Sequence, residues 1–319
     1  MKAIRVHEFG GPEVLKVEEV SSPSPGHGEV LVKLHAIGVN PVETYVRSGA
    51  RGARALPYTP GADGAGVVEA VGDGVTKVSV GDRIFTSSTL TGSYAEYALC
   101  AQGQIHSLPE EISFPQGAAI NIPYATAYRA LFQLAKVRPG EFIFVHGGSG
   151  GVGIATIQLA VAHGCRVIAS AGTERGLDLV RAHGAAYGVD HTDPFYREKI
   201  LNLTNGAGPA VIIEMLANKN LASDLKLIAN RGRIIVVGNR GTITIDPREA
   251  MTREATIQGL SLFNANEAER NEIYAAIHAG LTGGVIRPVI GQSFPLAQAP
   301  AAHEAVLAPG AYGKIVLMP

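Results

Sequence analysis

Cysteine is almost absent from this chain: Cys100 and Cys165 are the only two among 319 residues, and they stand far apart. Two such residues build no disulfide framework and form no metal-ligand pair with each other, which points to a reducing, cytoplasmic setting. Blocks of basic residues are missing too, and the formal net charge is −1. Nothing in the charge pattern marks a nucleic-acid partner. No run of about 18 or more apolar residues occurs, so no membrane-spanning helix is expected. The opening MKAIRVHEFGGPEVLKVEE is charged and alternating, unlike a secretory signal.

What is present is ordinary globular composition, with 46% hydrophobic and 17% charged residues. Glycine is enriched, 39 residues in 319, against a usual share of about 7%. That excess favours tight turns and close backbone approaches. The length suits two domains, each with its own core.

Up to about residue 110 the chain reads as short alternating strands. The segments are 2–9, 14–20, 29–39, 64–72, 82–88 and 92–101, separated by turn clusters such as SSPSPGHG and PYTPGADG. Their spacing predicts a β-barrel-like domain. Residues 116–137 then carry helical periodicity, with an expected interruption at Pro123. Strands and helices alternate afterwards, with nearly all-apolar strands at 141–147, 166–172, 187–190, 210–216, 231–238 and 255–263. Such alternation predicts a parallel sheet covered on both faces. A helix over 266–284 follows, and the last 35 residues are expected to return to the β domain.

Within FIFVHGGSGGVGIATIQLAVAHGCRVIASAG (142–172), residues Gly148 to Gly153 fit G-x-G-x-x-G. The strand before, the helix after and the strand beyond complete a βαβ unit of about 30 residues, the context a dinucleotide fingerprint requires. Absent side chains let the backbone approach a pyrophosphate, and the helix N-terminus offers free N–H donors.

The choice between NAD and NADP rests on the tip of the second strand. NAD enzymes place a carboxylate there, about 20 residues past the glycines. Glu174 stands near that distance and keeps NAD open, although a first-turn helix charge behind Thr173 explains it equally. No carboxylate stands at the tip itself. Gly172 leaves room for a 2′-phosphate and Arg175 offers a partner for it, which favours NADP.

A second segment, NPVETYVRSG (40–49), closes an apolar strand and offers Asn40 and Tyr45. With VHEFGGPEVLK, PYTPGADGAGVVEAVG, GDRIFTSS, GSYAEYAL, QGAAINIPYATAYRAL, VHGGSGGVG, EMLAN and IIVVGNRGTI, it gives the chain a nearly full-length resemblance to the medium-chain dehydrogenase/reductase superfamily. Within that superfamily it is similar to the zeta-crystallin-like NADPH:quinone oxidoreductases.

The resemblance implies an α/β fold, with a GroES-like β-barrel catalytic domain (1–122 and 267–319) and a Rossmann doubly wound parallel-sheet domain (123–266). It also implies a cleft between them and a homodimer or homotetramer. Carried over by position, Ser149, Gly150, Gly151 and Val152 line the pyrophosphate. Gly172 and His191 stand at the adenosine phosphate, where Arg175 is added on chemistry alone. Asn218 or Asn220 lies near the cofactor. Val237, Gly238, Asn239 and Arg240, with Leu260, Ser261 and Leu262, stand on the nicotinamide side. Asn40, Tyr45 and Thr126 border nicotinamide and substrate, as the candidates for catalysis. Taken alone, His191 and Arg240 read equally as surface residues, and Leu260 and Leu262 as core.

Many members of the superfamily hold zinc, and this chain departs from them. Where a zinc enzyme reads Gly-His-Glu, residues 61–63 read Gly-Ala-Asp, and the cysteine expected before Asn40 is replaced by Gly38 and Val39. A catalytic zinc needs about three protein ligands and a structural one about four. No metal is expected. Without a Lewis acid, alcohol oxidation is disfavoured. A quinone, already an electron acceptor, needs mainly to be stacked over nicotinamide C4, where it receives a hydride or sequential electrons. Tyr45 is the best polar candidate for proton donation, alongside water. The alternatives are an NADPH-dependent reductase of enones or enoyl-thioesters, and a non-catalytic NADPH-binding protein. A thioester carrier would call for a basic rim, for which Arg47, Arg51 and Arg54 are available.

Overall fold

The computed structural model describes residues 1–50, 52, 54–310 and 312–319. The chain forms strands β1 (Lys2–Arg5), β2 (Lys16–Glu19) and β3 (Glu29–Val39), helix α1 (Pro41–Arg47), then β4 (Gly64–Val71), β5 (Arg83–Thr86), β6 (Tyr97–Ala101) and β7 (Ile105–Ser107). Helices α2 (Phe114–Gly117) and α3 (Asn121–Tyr128) follow. The alternating region contains β8 (Phe142–Val145), α4 (Gly151–Ala162), β9 (Arg166–Ala171), α5 (Glu174–Ala182), β10 (Tyr187–Asp190), α6 (Tyr196–Leu203), β11 (Val211–Glu214), α7 (Ala217–Leu227), β12 (Arg233–Val236), α8 (Pro247–Arg253) and β13 (Thr256–Gly259). The chain ends with α9 (Glu267–Thr282), β14 (Ile290–Pro295), α10 (Ala299–Ala305) and β15 (Lys314–Met318).

Two compact units result. The first comprises Met1–Ile122 and Pro288–Pro319, the second Pro123–Arg287. In the first unit the sheet order is β14-β15-β3-β4-β5-β7, with β6 also on β3. All pairs are antiparallel except β14 with β15. Its core gathers Ile4, Val30, Val32, Ile37, Ile84 and Leu317. The alternating apolar residues of β3 supply much of this face, as a strand period of two requires.

In the second unit six parallel strands run in the order β10-β9-β8-β11-β12-β13. Numbered from β8, this is the 3-2-1-4-5-6 order of a doubly wound dinucleotide-binding sheet. The order reverses between β8 and β11, so the switch point lies at the C-terminal ends of those two strands. Phe144, Ile168, Ile212, Leu225 and Ile234 form a core between sheet and helices.

Three expectations are corrected. Pro123 does not interrupt its helix, because it is the third residue of α3, where a missing N–H costs no intrahelical bond. The chain returns to the first unit at Pro288 rather than at 267. Helix α9 stays with the second unit because Glu269 pairs with Arg129 at 2.9 Å and Glu272 accepts from Tyr128 at 3.0 Å. Finally, the strand expected over 255–263 ends at Gly259, and a short 3-10 turn over Leu262–Asn264 follows.

Candidate functional site

The glycine cluster occupies the loop between β8 and α4. Gly147 has φ +57°, a left-handed backbone that suits glycine. A Cβ on Gly153 would stand 2.4 Å from the Gly147 carbonyl oxygen, so only glycine lets α4 approach the loop this closely. The Gly148 N–H donates to Ser170 O at 2.7 Å, tying the loop to β9. At the helix start, Gly150 is the N-cap, no side chain caps it and no acidic residue stands in the first turn. Helix α4 therefore presents uncapped N–H donors and the positive end of its dipole. Ser149, Gly150, Gly151 and Val152 are all partly exposed there.

The other segments converge on the same edge of the sheet. Gly172 follows β9, and a Cβ on it would lie 2.9 Å from His191 Nε2, beyond β10. The two are thus neighbours, and burial lowers the His191 pKa despite the raising effect of Asp190. Arg175 is exposed on the first turn of α5, which Thr173 caps by accepting from the Gly176 N–H at 3.2 Å. Glu174 is exposed and pairs with Arg181 at 3.3 Å. Asn218 Oδ1 accepts from the Arg240 N–H at 3.0 Å, while Asn220 Nδ2 donates to Glu214 at 3.1 Å. Asn218 therefore faces the 238–241 loop and Asn220 turns into the sheet edge. Val237 and Gly238 both donate backbone N–H bonds to Glu214 O, at 2.8 and 3.2 Å. A Cβ on Gly238 would meet Met215 O at 2.2 Å. Asn239 is exposed and donates to Gly241 O at 2.7 Å. Leu260, Ser261 and Leu262 are half-buried beyond β13, with the Leu260 N–H on Val236 O at 2.9 Å.

In the first unit, Asn40 lies inside a buried polar network. Its Nδ2 donates to Asp63 Oδ2 at 3.0 Å and to Glu43 Oε1 at 3.2 Å, and its Oδ1 accepts from Lys314 Nζ. Lys314 also donates to Asp63 Oδ2 at 2.8 Å. Asp63 Oδ1 in turn accepts from Asn121 Nδ2 at 2.9 Å and from the Ile122 N–H at 3.2 Å. One aspartate thus joins the start of α1, which carries half-buried Tyr45, to Asn121 and Ile122 at the start of α3; Thr126, further along that helix, is buried and belongs to the second unit.

The network continues to His303. Tyr94 donates to Glu43 Oε2 at 2.7 Å, His303 Nε2 lies 3.0 Å from the Tyr94 hydroxyl, and Arg47 Nη1 lies 3.1 Å from His303 Nδ1. Arg47 can only donate, so the bonding assigns the His303 proton to Nε2. Burial and then Arg47 push the His303 pKa down to about 3, and burial raises that of Glu43 to about 7 against the lowering effect of Lys314. Arg47 is thereby used up as a buried strut, and Arg54 lies over the Tyr58 ring at 4.6 Å. Arg51 lies outside the described residues.

Comparison with known proteins follows these two units. Residues 26–110 match the alcohol dehydrogenase GroES-like domain, and residues 151–279 match the zinc-binding dehydrogenase family. A rat quinone oxidoreductase is 51% identical over 100% of this chain and 98% of its own length. The chain belongs to the quinone oxidoreductases of the medium-chain dehydrogenase/reductase superfamily. An Escherichia coli quinone oxidoreductase solved with NADPH superposes with a TM-score of 0.90 at 28% identity, covering 100% of both chains. An NAD-dependent alcohol dehydrogenase superposes with a TM-score of 0.93 at 30% identity, also over 100% of both.

Family membership makes the chain an oxidoreductase and gives its two units their GroES-like and Rossmann character. Two groups of residues escaped the sequence reading. Lys314 lies 251 positions from Asp63 and reads as the charged start of a terminal strand. His146 and Glu214 look like the polar ends of apolar strands. The available signal was their type: a histidine and a glutamate closing FIFV and VIIE are poor residues to bury without a joint purpose.

Proposed function

We propose that this oxidoreductase transfers reducing equivalents from NADPH to quinones without a metal. The observation that carries the cofactor is the uncapped N-terminus of α4 behind a loop where Gly153 admits no Cβ. These features fit a pyrophosphate. Ser149, Gly150, Gly151 and Val152 would hold it. Gly172, His191 and Arg175 would hold the 2′-phosphate end, with no carboxylate at the tip of β9 to repel it. Asn218, the 237–240 loop and Leu260–Leu262 would flank the nicotinamide. The rat and Escherichia coli relatives are named quinone oxidoreductases, and the latter was solved with NADPH.

When bound, NADPH supplies the hydride or electrons at nicotinamide C4. The chain's own part is orientation. Asn40 is held rigid by Asp63, Lys314 and Glu43, and fixes the origin of the helix that presents Tyr45. In the first unit, Tyr45 supplies a hydroxyl for the substrate; in the second, Thr126 is the hydroxyl candidate. The overall balance is one NADPH, one proton and one quinone giving NADP⁺ and one hydroquinone.

Zinc independence is supported by what fills the place of the ligands. A Cβ at Gly38 would stand 2.9 Å from Lys314 Cε and 2.2 Å from Ala118 O, so a cysteine there has no room. The Lys314 ammonium already neutralises Asp63. Both cysteines are free and buried, which supports a reducing cytoplasmic setting.

We also read the protein as a homo-oligomer. All four residues of edge strand β13 are exposed, and Phe263 beyond it is 65% exposed. An uncovered edge with apolar neighbours is a template for a second copy. Among the described residues, no helix is long and apolar enough to cross a membrane.

The test is NADPH oxidation by purified protein with an ortho-quinone, a simple enone and a crotonyl thioester in parallel. Preference for the quinone supports the reading. Preference for the enone or thioester moves the reaction to double-bond reduction. NADPH binding without oxidation by any acceptor makes the protein a binding module.

A further inference from the structure

Beneath the switch point lies a buried acid cluster to which the chemistry above gives no role. His146 follows β8, Glu214 ends the adjacent β11, and Asp224 stands on α7. His146 Nε2 lies 2.8 Å from Asp224 Oδ1 and 3.2 Å from Glu214 Oε2. The three side chains bring one nitrogen or oxygen each within 4.8 Å of one another. Glu214 is 0% and Asp224 1% exposed.

The hydrogen bonds are lopsided. Glu214 Oε1 accepts from the Leu216 N–H and from Asn220 Nδ2, while Glu214 Oε2 and Asp224 Oδ2 have no hydrogen-bond partner. Two ionised carboxylates in this space would leave both orphan oxygens buried and repelling each other. One proton on Glu214 removes the repulsion and gives one of them a donor.

The cluster also reaches the surface that faces the cofactor. Glu214 Oε1 closes the 214–216 turn and anchors Asn220, two residues past Asn218. Its carbonyl holds Val237 and Gly238. His146 adjoins Gly147, and its N–H donates to Ile213 O at 3.1 Å. The loops after β8, β11 and β12 therefore share one buried support.

We infer that Glu214 is a positioning residue for NADPH, which acts in its protonated form by sharing one proton with Asp224 and so locking the 215–220 segment and the 237–238 turn. The inference rests on the NADPH reading above. Burial pushes Glu214 up to about 8, with the His146 contribution opposing and Asp224 reinforcing. Burial also raises Asp224, to about 6, and lowers the His146 pKa against the raising effect of Glu214. The other groups facing the cluster are Tyr196 and Arg197 of α6, and His191 beyond β10. His191 is itself lowered, so it does not titrate in the alkaline range.

The experiment is an NADPH titration by fluorescence across pH 6 to 9 for the wild type and Glu214→Gln. Glutamine keeps an acceptor for Leu216 and Asn220, and places a donor toward Asp224 at every pH. The wild type should bind uniformly at neutral pH and weaken with a midpoint near 8, by about tenfold one pH unit above it. Glu214→Gln should lose the alkaline weakening, whatever its affinity at neutral pH. A flat wild-type profile, or an unchanged alkaline limb in Glu214→Gln, overturns the inference while leaving the NADPH reading intact. A wild type that binds no NADPH at any pH overturns both. The wild-type profile decides even where the variant fails to fold, since a flat one suffices for rejection.

Discussion

Lys314 Nζ sits 2.8 Å from Asp63 Oδ2, and both residues are buried in the first unit. The pair joins the first residue of β15 to the residue just before β4. Asn40 bridges it, so one buried ion pair sets the start of the helix that carries Tyr45. Breaking a buried pair strands the surviving charge, which typically costs about 3–5 kcal/mol. Asp63→Asn should therefore destabilise the first unit by about 3 kcal/mol, and the double variant with Lys314→Met should recover most of it. Urea denaturation followed by circular dichroism reads this. A single variant within about 0.5 kcal/mol of wild type would refute it.

Arg175 should discriminate the cofactors. Arg175→Ala should raise KM for NADPH about tenfold, the loss of one charge-assisted contact worth about 1.4 kcal/mol, and leave KM for NADH in place. Steady-state kinetics with the two cofactors separates this from a general loss. An equal rise for both would place Arg175 outside the 2′-phosphate site.

His303 should give the fold a contribution to stability that acid removes. In the folded protein burial and Arg47 hold it neutral down to about pH 3, whereas unfolded histidine takes up a proton below about 6.5. Through this group the unfolded state binds more protons, so the stability that His303 contributes is lost as pH drops from about 6.5 toward 3, while Glu43, raised to about 7, acts in the opposite direction between about pH 7 and 4.5. His106, also lowered to about 3, acts in the same direction as His303. His303→Asn should be less stable at neutral pH but lose less on acidification. Parallel stability profiles for the two proteins would contradict this.

The edge strand makes a separate prediction. The wild type should sediment at a multiple of 33.3 kDa, and Ile257→Lys, which puts a charge on the exposed edge, should shift the protein toward the monomer. A wild type that sediments as a monomer would remove β13 as an interface.

How much of this was legible beforehand follows from the range of the interactions. Strand β3 spans the segment 29–39 read from alternation alone, and the glycine cluster sits where its strand–helix context required. Both are local patterns, visible within a few residues. The Asp63–Lys314 pair and the cluster of His146, Glu214 and Asp224 are assembled by strand pairing across long stretches of chain, which no local pattern encodes. The membership of helix α9 in the second unit is hidden for the same reason: Glu269 and Glu272 find Arg129 and Tyr128 only after folding. The resemblance located Asn40, but not the fact that its whole side chain is engaged by Asp63, Glu43 and Lys314.

The most direct test of metal-free quinone reduction uses protein dialysed exhaustively against a strong chelator, with its zinc content measured before and after. The account predicts that the treated protein contains no stoichiometric zinc and oxidises NADPH with an ortho-quinone at the untreated rate. Loss of that activity on chelation, restored by added zinc, would contradict it.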